Sequence, residues 1–197
     1  MALKTFKSYT KSTRGTVLVD RKNIWKGNPL KSLTIGSHST GGRNNLGRIT
    51  SRSKGAGHKH KYREIDFYRK KDDIKAKVVR IEYDPNRSAH VALIKYEDGI
   101  MSYIVAPNKI NIGDEIVSGR NKKIEIGNCM PLTDIPAGTD IHNVELLPNG
   151  GGKLARSAGS SAQIYGTDDN YCIVKLKSGE IRKIINTARA TIGSVSN

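Results

Sequence analysis

The sequence predicts an all-β protein in which a basic extension precedes two small β units. Two observations support this prediction. From Tyr62 onward, short apolar segments alternate with polar residues at a period of two. Turn-forming residues separate these segments at short intervals. No window of useful length shows the apolar period of a helix. The expected units are the extension at 1–75, a first β unit at 76–126 and a second at 127–197.

The extension is expected to contain little regular structure. A short strand is predicted at 16–20. The stretch at 37–57 is rich in glycine and basic residues and is expected to be irregular, because each glycine costs a helix about 1 kcal/mol relative to alanine. Alternation begins at 62–68, where Phe67 is expected to be a core residue.

Each β unit is predicted from segments bounded by turns. In the first unit, strands are expected at 79–83, 91–96, 100–105 and 114–118. In the second unit, strands are expected at 141–147, 162–165, 171–177 and 180–185. This spacing is typical of small antiparallel barrels or sandwiches.

The charge of the chain is concentrated at its start. The formal net charge is +16, from 34 Lys and Arg against 18 Asp and Glu. Residues 1–75 hold 19 of these basic residues against five acidic ones, and residues 76–197 hold the other 15 against 13. A segment so basic repels itself unless a polyanion neutralises it. It is either a solvated tail or a nucleic-acid-binding segment.

Aromatic residues and glycines among the cations favour nucleic acid over a solvated tail. They provide stacking surfaces and allow close approach of the backbone, and the aromatics concerned are Trp25, Tyr62, Phe67 and Tyr68. An acidic membrane surface is disfavoured, because no basic amphipathic helix is visible. No run approaches the roughly 20 apolar residues of a membrane span.

Neither a metal site nor a catalytic site is indicated. Cys129 and Cys172 are single cysteines, and His58 and His60 lack the ligand spacing of a zinc site. His142 has no sequence partner that suggests a triad. No phosphate-binding loop and no cofactor motif is present. We therefore expect no cofactor and no enzyme activity, with a nuclease that uses His58 or His60 as a remote alternative.

The basic segment offers the clearest candidate contacts to RNA. Arg43, Arg48 and Arg52 lie among glycines and beside Asn44 and Asn45. Arginine matches phosphate oxygens with two parallel donors, and asparagine offers a donor and an acceptor to bases or 2′-hydroxyls. The tripeptide Arg-Ser-Ala also occurs twice, at 87–89 and at 156–158. This repeat suggests one cationic loop on each β unit.

Several blocks together resemble large-subunit ribosomal protein L-two, in its bacterial and organellar branch. The blocks run in order and at matching spacing through essentially the whole chain. They are Gly-Gly-Arg-Asn-Asn-Leu-Gly-Arg-Ile-Thr (41–50), Gly-His-Lys (57–59) with Tyr62-Arg63, Glu-Tyr-Asp-Pro-Asn-Arg-Ser-Ala (82–89), His-Asn-Val-Glu (142–145) and Leu-Ala-Arg-Ser-Ala-Gly (154–159).

The resemblance implies an OB-like barrel followed by an SH3-like barrel, after an irregular basic extension. It implies binding to large-subunit rRNA, contact with neighbouring ribosomal proteins, and support of subunit assembly, subunit association and the architecture around the peptidyl-transferase region. The implied rRNA-binding residues are Arg43, Asn44, Asn45, Arg48, Arg52, His58, Lys59, Tyr62, Arg63, Arg69, Lys70, Arg87, Ser88, Asn143, Arg156 and Ser157.

The chain departs from the family pattern at its end. Members continue past the motif that matches Ala-Thr-Ile-Gly (190–193) into a long basic tail, whereas this sequence stops at Asn197. We expect either that a separate polypeptide supplies the tail or that its contacts are lost. A shortened member without a visible presequence favours the mitochondrial matrix over the bacterial cytoplasm.

Two other functions remain open from the residues alone. A free OB-type binder or assembly factor would handle single-stranded RNA away from the ribosome and would tolerate many sequences. A nuclease would cleave RNA. Residues 1–60 are expected to become ordered only when RNA is bound.

Overall fold

The computed structural model describes residues 3–22, 24–36, 39–55 and 57–197. Residues 1 and 2, at the start of the stretch that shows no visible presequence, lie outside this part of the chain. So do residues 37, 38 and 56 of the stretch that was expected to be irregular. Within the described residues, the chain forms sixteen β-strands and two short 3₁₀ turns. The prediction of an all-β fold with an OB-like and an SH3-like barrel is confirmed.

The extension contains two short hairpin pairings. Strand β1 (Leu3–Thr5) pairs with β2 (Val17–Val19), so the strand predicted at 16–20 is confirmed. A 3₁₀ turn (Lys31–Leu33) leads into β3 (Thr34–Gly36), which pairs with β4 (Lys61–Arg63) across the glycine-rich stretch. The chain after the glycine-rich stretch therefore returns to β3 before the first barrel begins.

The first barrel is a curled four-stranded antiparallel sheet. Its strands are β5 (Ala76–Glu82), β6 (Val91–Tyr96), β7 (Met101–Val105) and β8 (Glu115–Ile116), in the order β7-β6-β5-β8. The inward residues fill the interior, and the largest fully buried ones include Ile94 and Ile116. Each such side chain contributes about 1.5–3 kcal/mol when it leaves water.

The second barrel contains a six-stranded sheet and a separate hairpin. The sheet comprises β9 (Cys129–Pro131), β10 (Asp140–His142), β13 (Ala162–Thr167), β14 (Tyr171–Leu176), β15 (Ile181–Ile185) and β16 (Arg189–Ile192). The second 3₁₀ turn (Leu132–Asp134) follows β9. The hairpin joins β11 (Val144–Glu145) to β12 (Gly152–Leu154). The sheet order is β15-β14-β13-β10-β16-β9.

The strand expected at 141–147 is interrupted, which corrects the prediction there. Asn143 has a φ of +50°, so the chain leaves β10 and starts β11 in a new direction. Strands β9, β12 and β16 were not predicted. Each has at most four residues, and β9 and β12 contain the proline and the glycine that usually signal a break.

A connecting segment, residues 64–73, joins the two barrels. The amide of Asp66 donates to the carbonyl of Tyr103 in the first barrel (2.8 Å), and the amide of Gly152 in the second barrel donates to the carbonyl of Phe67 (2.9 Å). Further along, Asp72 accepts two hydrogen bonds from the guanidinium of Arg189 in the second barrel (2.6 and 2.7 Å). This segment therefore ties both barrels together.

Buried charge attaches the extension to the first barrel. The carboxylate of Glu82 is 1% exposed and accepts hydrogen bonds from Arg63 of the extension (3.1 Å), from Arg80 (2.7 Å) and from the hydroxyl of Tyr103 (2.8 Å). The Tyr103 hydroxyl also accepts from the amide of Leu30 (3.0 Å). A buried carboxylate is tolerated only when it is paired in this way.

None of the helical turns in the described residues is long and apolar enough to cross a bilayer.

We predict that Arg63→Ala lowers the free energy of unfolding by about 3–5 kcal/mol, because it removes one partner of a buried ion pair. Urea unfolding followed by the fluorescence of Trp25, the single tryptophan, measures the change. The control is Lys75→Ala, which breaks the exposed pair with Glu115 and should change stability by less than about 0.5 kcal/mol. Equal effects in the two variants would contradict the proposed attachment.

Candidate nucleic-acid interface

The glycine-rich loop at 41–52 is organised by its own hydrogen bonds. The carbonyl of Gly42 accepts from the amides of Thr50 (3.0 Å) and Ser51 (3.1 Å), which closes the loop. Gly42 has a φ of +75°, and a Cβ there would lie 2.2 Å from the carbonyl oxygen of Ser51. Only glycine fits this closure. The loop presents the exposed side chains of Arg43, Asn45, Arg48 and Arg52.

Asn44 has a structural part in the same loop. Its Oδ1 accepts hydrogen bonds from the amides of Leu46 (3.0 Å) and Arg48 (2.9 Å). The side-chain oxygen that the sequence suggested for base edges is therefore used to shape the turn. Asn45, the next residue, has an exposed side chain.

The segment that enters β4 carries three more predicted contacts on the surface. His58, Lys59 and Tyr62 are exposed, and the Nδ1 of His58 lies 3.0 Å from the carbonyl of Lys59. Lys70, in the connecting segment, is also exposed and places its ammonium 4.9 Å from the ring centre of Tyr68. These residues face solvent.

Two predicted contacts are buried instead. Arg63 is 6% exposed and is paired with Glu82, as described above. Arg69 is 2% exposed, and its guanidinium donates to Ser118 Oγ (3.2 Å) and to the carbonyl of Gly127 (3.4 Å). Both arginines hold parts of the protein together. For Arg63 the sequence contained a signal, since the alternation places it on the same face as Ile65 and Phe67.

The two Arg-Ser-Ala loops meet at the seam between the barrels. The guanidinium carbons of Arg87 and Arg156 lie 5.9 and 4.7 Å from the ring centre of Phe67. Ser88 Oγ accepts from the amide of Ala158 (3.4 Å). The two copies of the Arg-Ser-Ala motif are therefore in contact with each other in the fold. The repeat alone could not predict this contact.

The two arginines keep donors available beside Phe67. Arg87 uses Nε in an ion pair with the buried carboxylate of Asp84 (2.6 Å), and Arg156 uses one terminal nitrogen on the carbonyl of Gly152 (3.3 Å). Their other guanidinium N–H groups have no protein acceptor among the described residues. Such preorganised forks suit phosphate oxygens. Ser88 and Ser157, the next residues in the two loops, are exposed.

Asn143 is buried next to this seam. It is 7% exposed, its Nδ2 donates to the carbonyl of Phe67 (3.4 Å), and its Oδ1 has no partner within the described residues. A Cβ on Gly152 would lie 2.1 Å from that Oδ1, so the glycine leaves room for the asparagine. The side-chain amide of Asn143 therefore helps to hold the backbone of Phe67 in position.

His142 and Cys129 are buried beside Arg69. Burial, together with the positive charge of Arg69, lowers the pKa of His142 from 6.5 to about 4, so the ring is neutral. Its Nδ1 donates to the carbonyl of Gly193 (2.7 Å). Burial raises the pKa of the Cys129 thiol, which keeps it protonated. Neither group is poised for nucleophilic or acid–base chemistry.

No three His, Cys, Asp or Glu side chains lie close enough to hold a metal ion in the part of the chain that the structure describes.

Comparison with known proteins identifies the family. Residues 30–118 match the model of Ribosomal Proteins L2, RNA binding N-terminal domain, and residues 125–197 match the C-terminal domain of the same family. The whole chain is 59% identical to a large ribosomal subunit protein uL2 of Pelagibacter ubique and covers 70% of that protein. The chain belongs to the L2 family of large-subunit ribosomal proteins.

Other L2 relatives are similar over the same region. The chain is 58% identical to the uL2 protein of Granulibacter bethesdensis and 57% identical to that of Rickettsia typhi, and it covers 71% and 72% of them. These relatives are bacterial and do not support the expected mitochondrial location. Because L2 is a structural, non-enzymatic family, the prediction that the chain is not an enzyme is confirmed.

We predict that His142 makes this L2 chain less stable in acid. The unfolded chain takes up the proton near pH 6.5 and the folded chain only near pH 4, so stability is full above pH 6.5 and falls as the pH drops toward 4. Since each pKa unit corresponds to about 1.4 kcal/mol, His142 accounts for a loss of about 3 kcal/mol.

Urea unfolding at pH 7 and pH 4.5 measures this loss in the parent and in His142→Gln, which cannot titrate. The variant should lose less stability between the two pH values. His60→Gln, at an exposed position, serves as the control and should retain the parent's pH dependence. An unchanged pH dependence in His142→Gln would refute the assignment.

Proposed function

We propose that the chain binds large-subunit rRNA and that the seam around Phe67 is its anchoring contact. The observation that supports this most directly is the convergence of Arg87 and Arg156, from different barrels, on one aromatic ring. Two guanidinium groups held by separate rigid units fix the position and the direction of a phosphate backbone. Family membership in a large-subunit ribosomal protein supports the choice of RNA.

The extension supplies the second part of the proposed interface. Arg43, Arg48 and Arg52 are exposed on a loop whose shape is set by internal hydrogen bonds. Together with His58 and Lys59, they would neutralise phosphates where RNA helices pack closely. We further propose that residues 76–126 and 127–197 act as the two anchoring units. Within residues 1–60, Trp25 and Leu30 are already held on the first barrel, and we propose that RNA orders the parts of this segment that have no such contact.

Three of the predicted RNA contacts receive a different role in this proposal. Arg63, Arg69 and Asn143 are buried and hydrogen-bonded within the chain. They position the surfaces that meet RNA and do not themselves touch it. Asn143 does so through Phe67, and Arg69 does so by holding the connecting segment between the barrels.

Support of subunit assembly and association follows from the same geometry. A protein whose basic loops and two barrels engage several RNA elements would hold those elements in one arrangement, and neighbouring ribosomal proteins would pack on its remaining surface. The chain covers 70% of the Pelagibacter ubique relative, and the family resemblance implies that the further residues of such relatives follow the matched region. Residues equivalent to that continuation would start beside a cleft of about 560 Å³, which is lined by His90, Gly159 and residues 194–197.

We expect Arg87→Ala and Arg156→Ala each to weaken binding to a large-subunit rRNA fragment by about 1–3 kcal/mol, because each loses a charge-assisted contact. Filter binding at several salt concentrations measures the affinity, and the salt dependence should become shallower by about 0.9 in log–log slope for each lost duplex phosphate contact.

The matched control for this experiment is Arg182→Ala. Arg182 lies in the second barrel, is 43% exposed and pairs with Glu180, away from the seam. This variant should bind nearly as the parent does. Unchanged affinity in both seam variants would remove Phe67 and its arginines from the interface.

In sucrose gradients the protein should sediment with the large subunit. Sedimentation free of ribosomes would instead favour a single-stranded RNA binder that is not attached to the ribosome.

We also propose that large subunits containing this chain hold the family's C-terminal tail as well, either on a separate polypeptide or as a continuation of the same one. Mass spectrometry of purified large subunits should detect peptides that match the last third of the relatives. Peptides that span Asn197 would show one continuous protein, and peptides that begin a different protein would show a split one. Complete absence of such peptides would contradict the proposal.

The location is tested separately, by asking whether large subunits that contain this chain are recovered from purified mitochondria or from bacterial cytoplasm.

A further inference from the structure

A second cleft lies on the first barrel, away from the seam. It has a volume of about 630 Å³ and is formed by three parts of the chain: residue 21 with residues 24–29, residues 58–61, and the end of β5 with the turn after it. The first two parts belong to the extension. The size falls within the range of pockets that hold small ligands.

Trp25 is fixed in the wall of this cleft by its backbone. Its amide donates to the carbonyl of Ile81 (2.9 Å), and Trp25 forms a bridge with Glu82 of β5. Gly27 packs so closely that a Cβ there would lie 2.6 Å from the indole Nε1. Even so, Trp25 remains 49% exposed. A large aromatic side chain that is held in place yet open to solvent at a cleft is a ready surface for a ligand.

Each of the two aromatic rings of the cleft has a guanidinium group beside it. The guanidinium of Arg80 lies 4.8 Å from the Trp25 ring, and that of Arg21 lies 3.7 Å from the Tyr83 ring. Tyr83 is 37% exposed. Planar rings and planar guanidinium groups are the surfaces against which unstacked RNA bases pack.

The lining also contains several cationic side chains. Arg21, Lys26, Lys59 and Lys61 line the cleft and form no ion pair within the described residues. The one carboxylate in the lining belongs to Glu82, which is neutralised by Arg63 and Arg80. The cleft thus combines aromatic surface, which can stack on a base, with unpaired ammonium groups, which can bind a phosphate. A nucleotide needs both.

We infer that this cleft binds an unpaired nucleotide of single-stranded RNA, with the base against the Trp25–Tyr83 wall and the phosphates against Lys59 and Lys61. The inference rests on the proposed RNA-binding function and adds a specific site and a structural class of RNA. A purely electrostatic site would need no exposed indole, and a helical duplex offers no free base. The cleft is distinct from the seam, which contains no residue of its wall.

Trp25 reports directly on this site, because it is the single tryptophan of the chain. The full chain is titrated with a single-stranded RNA of about ten nucleotides, with the same RNA as a duplex, and with inorganic polyphosphate of equal charge. We expect the single strand to quench the Trp25 emission, and the duplex and the polyphosphate to leave it nearly unchanged even where they bind. Equal quenching by polyphosphate or duplex would overturn base insertion.

Two variants locate the effect. Tyr83→Ala should raise the RNA concentration needed for half-quenching about fivefold or more, as expected for loss of a stacking surface, whereas Tyr165→Ala, an exposed tyrosine of the second barrel, should not. Lys59→Ala combined with Lys61→Ala alters exposed side chains only and should have a similar effect to Tyr83→Ala. Failure of both the Tyr83 and the lysine variants to shift the titration would refute the site.

Filter binding of the rRNA fragment separates this inference from the proposed function. If the parent binds the fragment but single-stranded RNA does not quench Trp25, the cleft is not a nucleotide site and the rRNA-binding proposal stands. If neither occurs, both fail. Arg156→Ala should weaken binding of the fragment and leave quenching by the short single strand intact, because Arg156 lies in the second barrel and its hydrogen bond is to Gly152, outside the cleft. Loss of quenching in that variant would contradict an independent cleft.

Discussion

The buried carboxylate of Glu82 is the constraint on which the attachment of the extension depends. Removing an ion from water costs several kcal/mol unless charged and hydrogen-bonding partners replace the water. The first barrel provides Arg80 and Tyr103, and the extension provides Arg63. An otherwise self-repelling basic segment therefore gains a fixed point on the barrel. This point also holds the region of Arg63 and, through Tyr103, the region of Leu30 against the first barrel, next to the cleft that Trp25 lines.

The same principle orders the seam between the barrels. Glu145 is 2% exposed, and its carboxylate accepts hydrogen bonds from the amides of Asn149 (3.2 Å), Gly151 (3.0 Å) and Arg189 (3.2 Å). The side chain of Arg189 in turn holds Asp72 of the connecting segment. The contacts of Glu145 order the second barrel, and the contact between Arg189 and Asp72 links that barrel to the connecting segment that carries Phe67. Both help to keep the loop that carries Arg156 beside Phe67.

Sequence reasoning succeeded where two independent signals agreed. The strand at 91–96 was predicted with its observed bounds, since alternation and flanking turns coincide there. Strands β9 and β16 escaped because pairing with each other across the second barrel, and not local pattern, makes them strands. Strand β12 escaped because its glycine usually signals a break. Among the candidate contacts, nothing in the neighbouring sequence shows that Arg43 is exposed and that Arg69 is buried. Only the tertiary fold separates an arginine that donates to buried oxygens from one that faces solvent.

Burial also divides the cations by their response to salt. Ion pairs such as Arg63 with Glu82 are shielded from solvent, so mobile ions screen them weakly. The exposed Arg43, Arg48 and Lys59 are fully open to screening. The attachment of the extension to the barrel is thus less sensitive to ionic strength than any binding of polyanions by its surface. One residue type can therefore hold the fold together and bind RNA in the same segment, because the two roles occur at different depths below the surface.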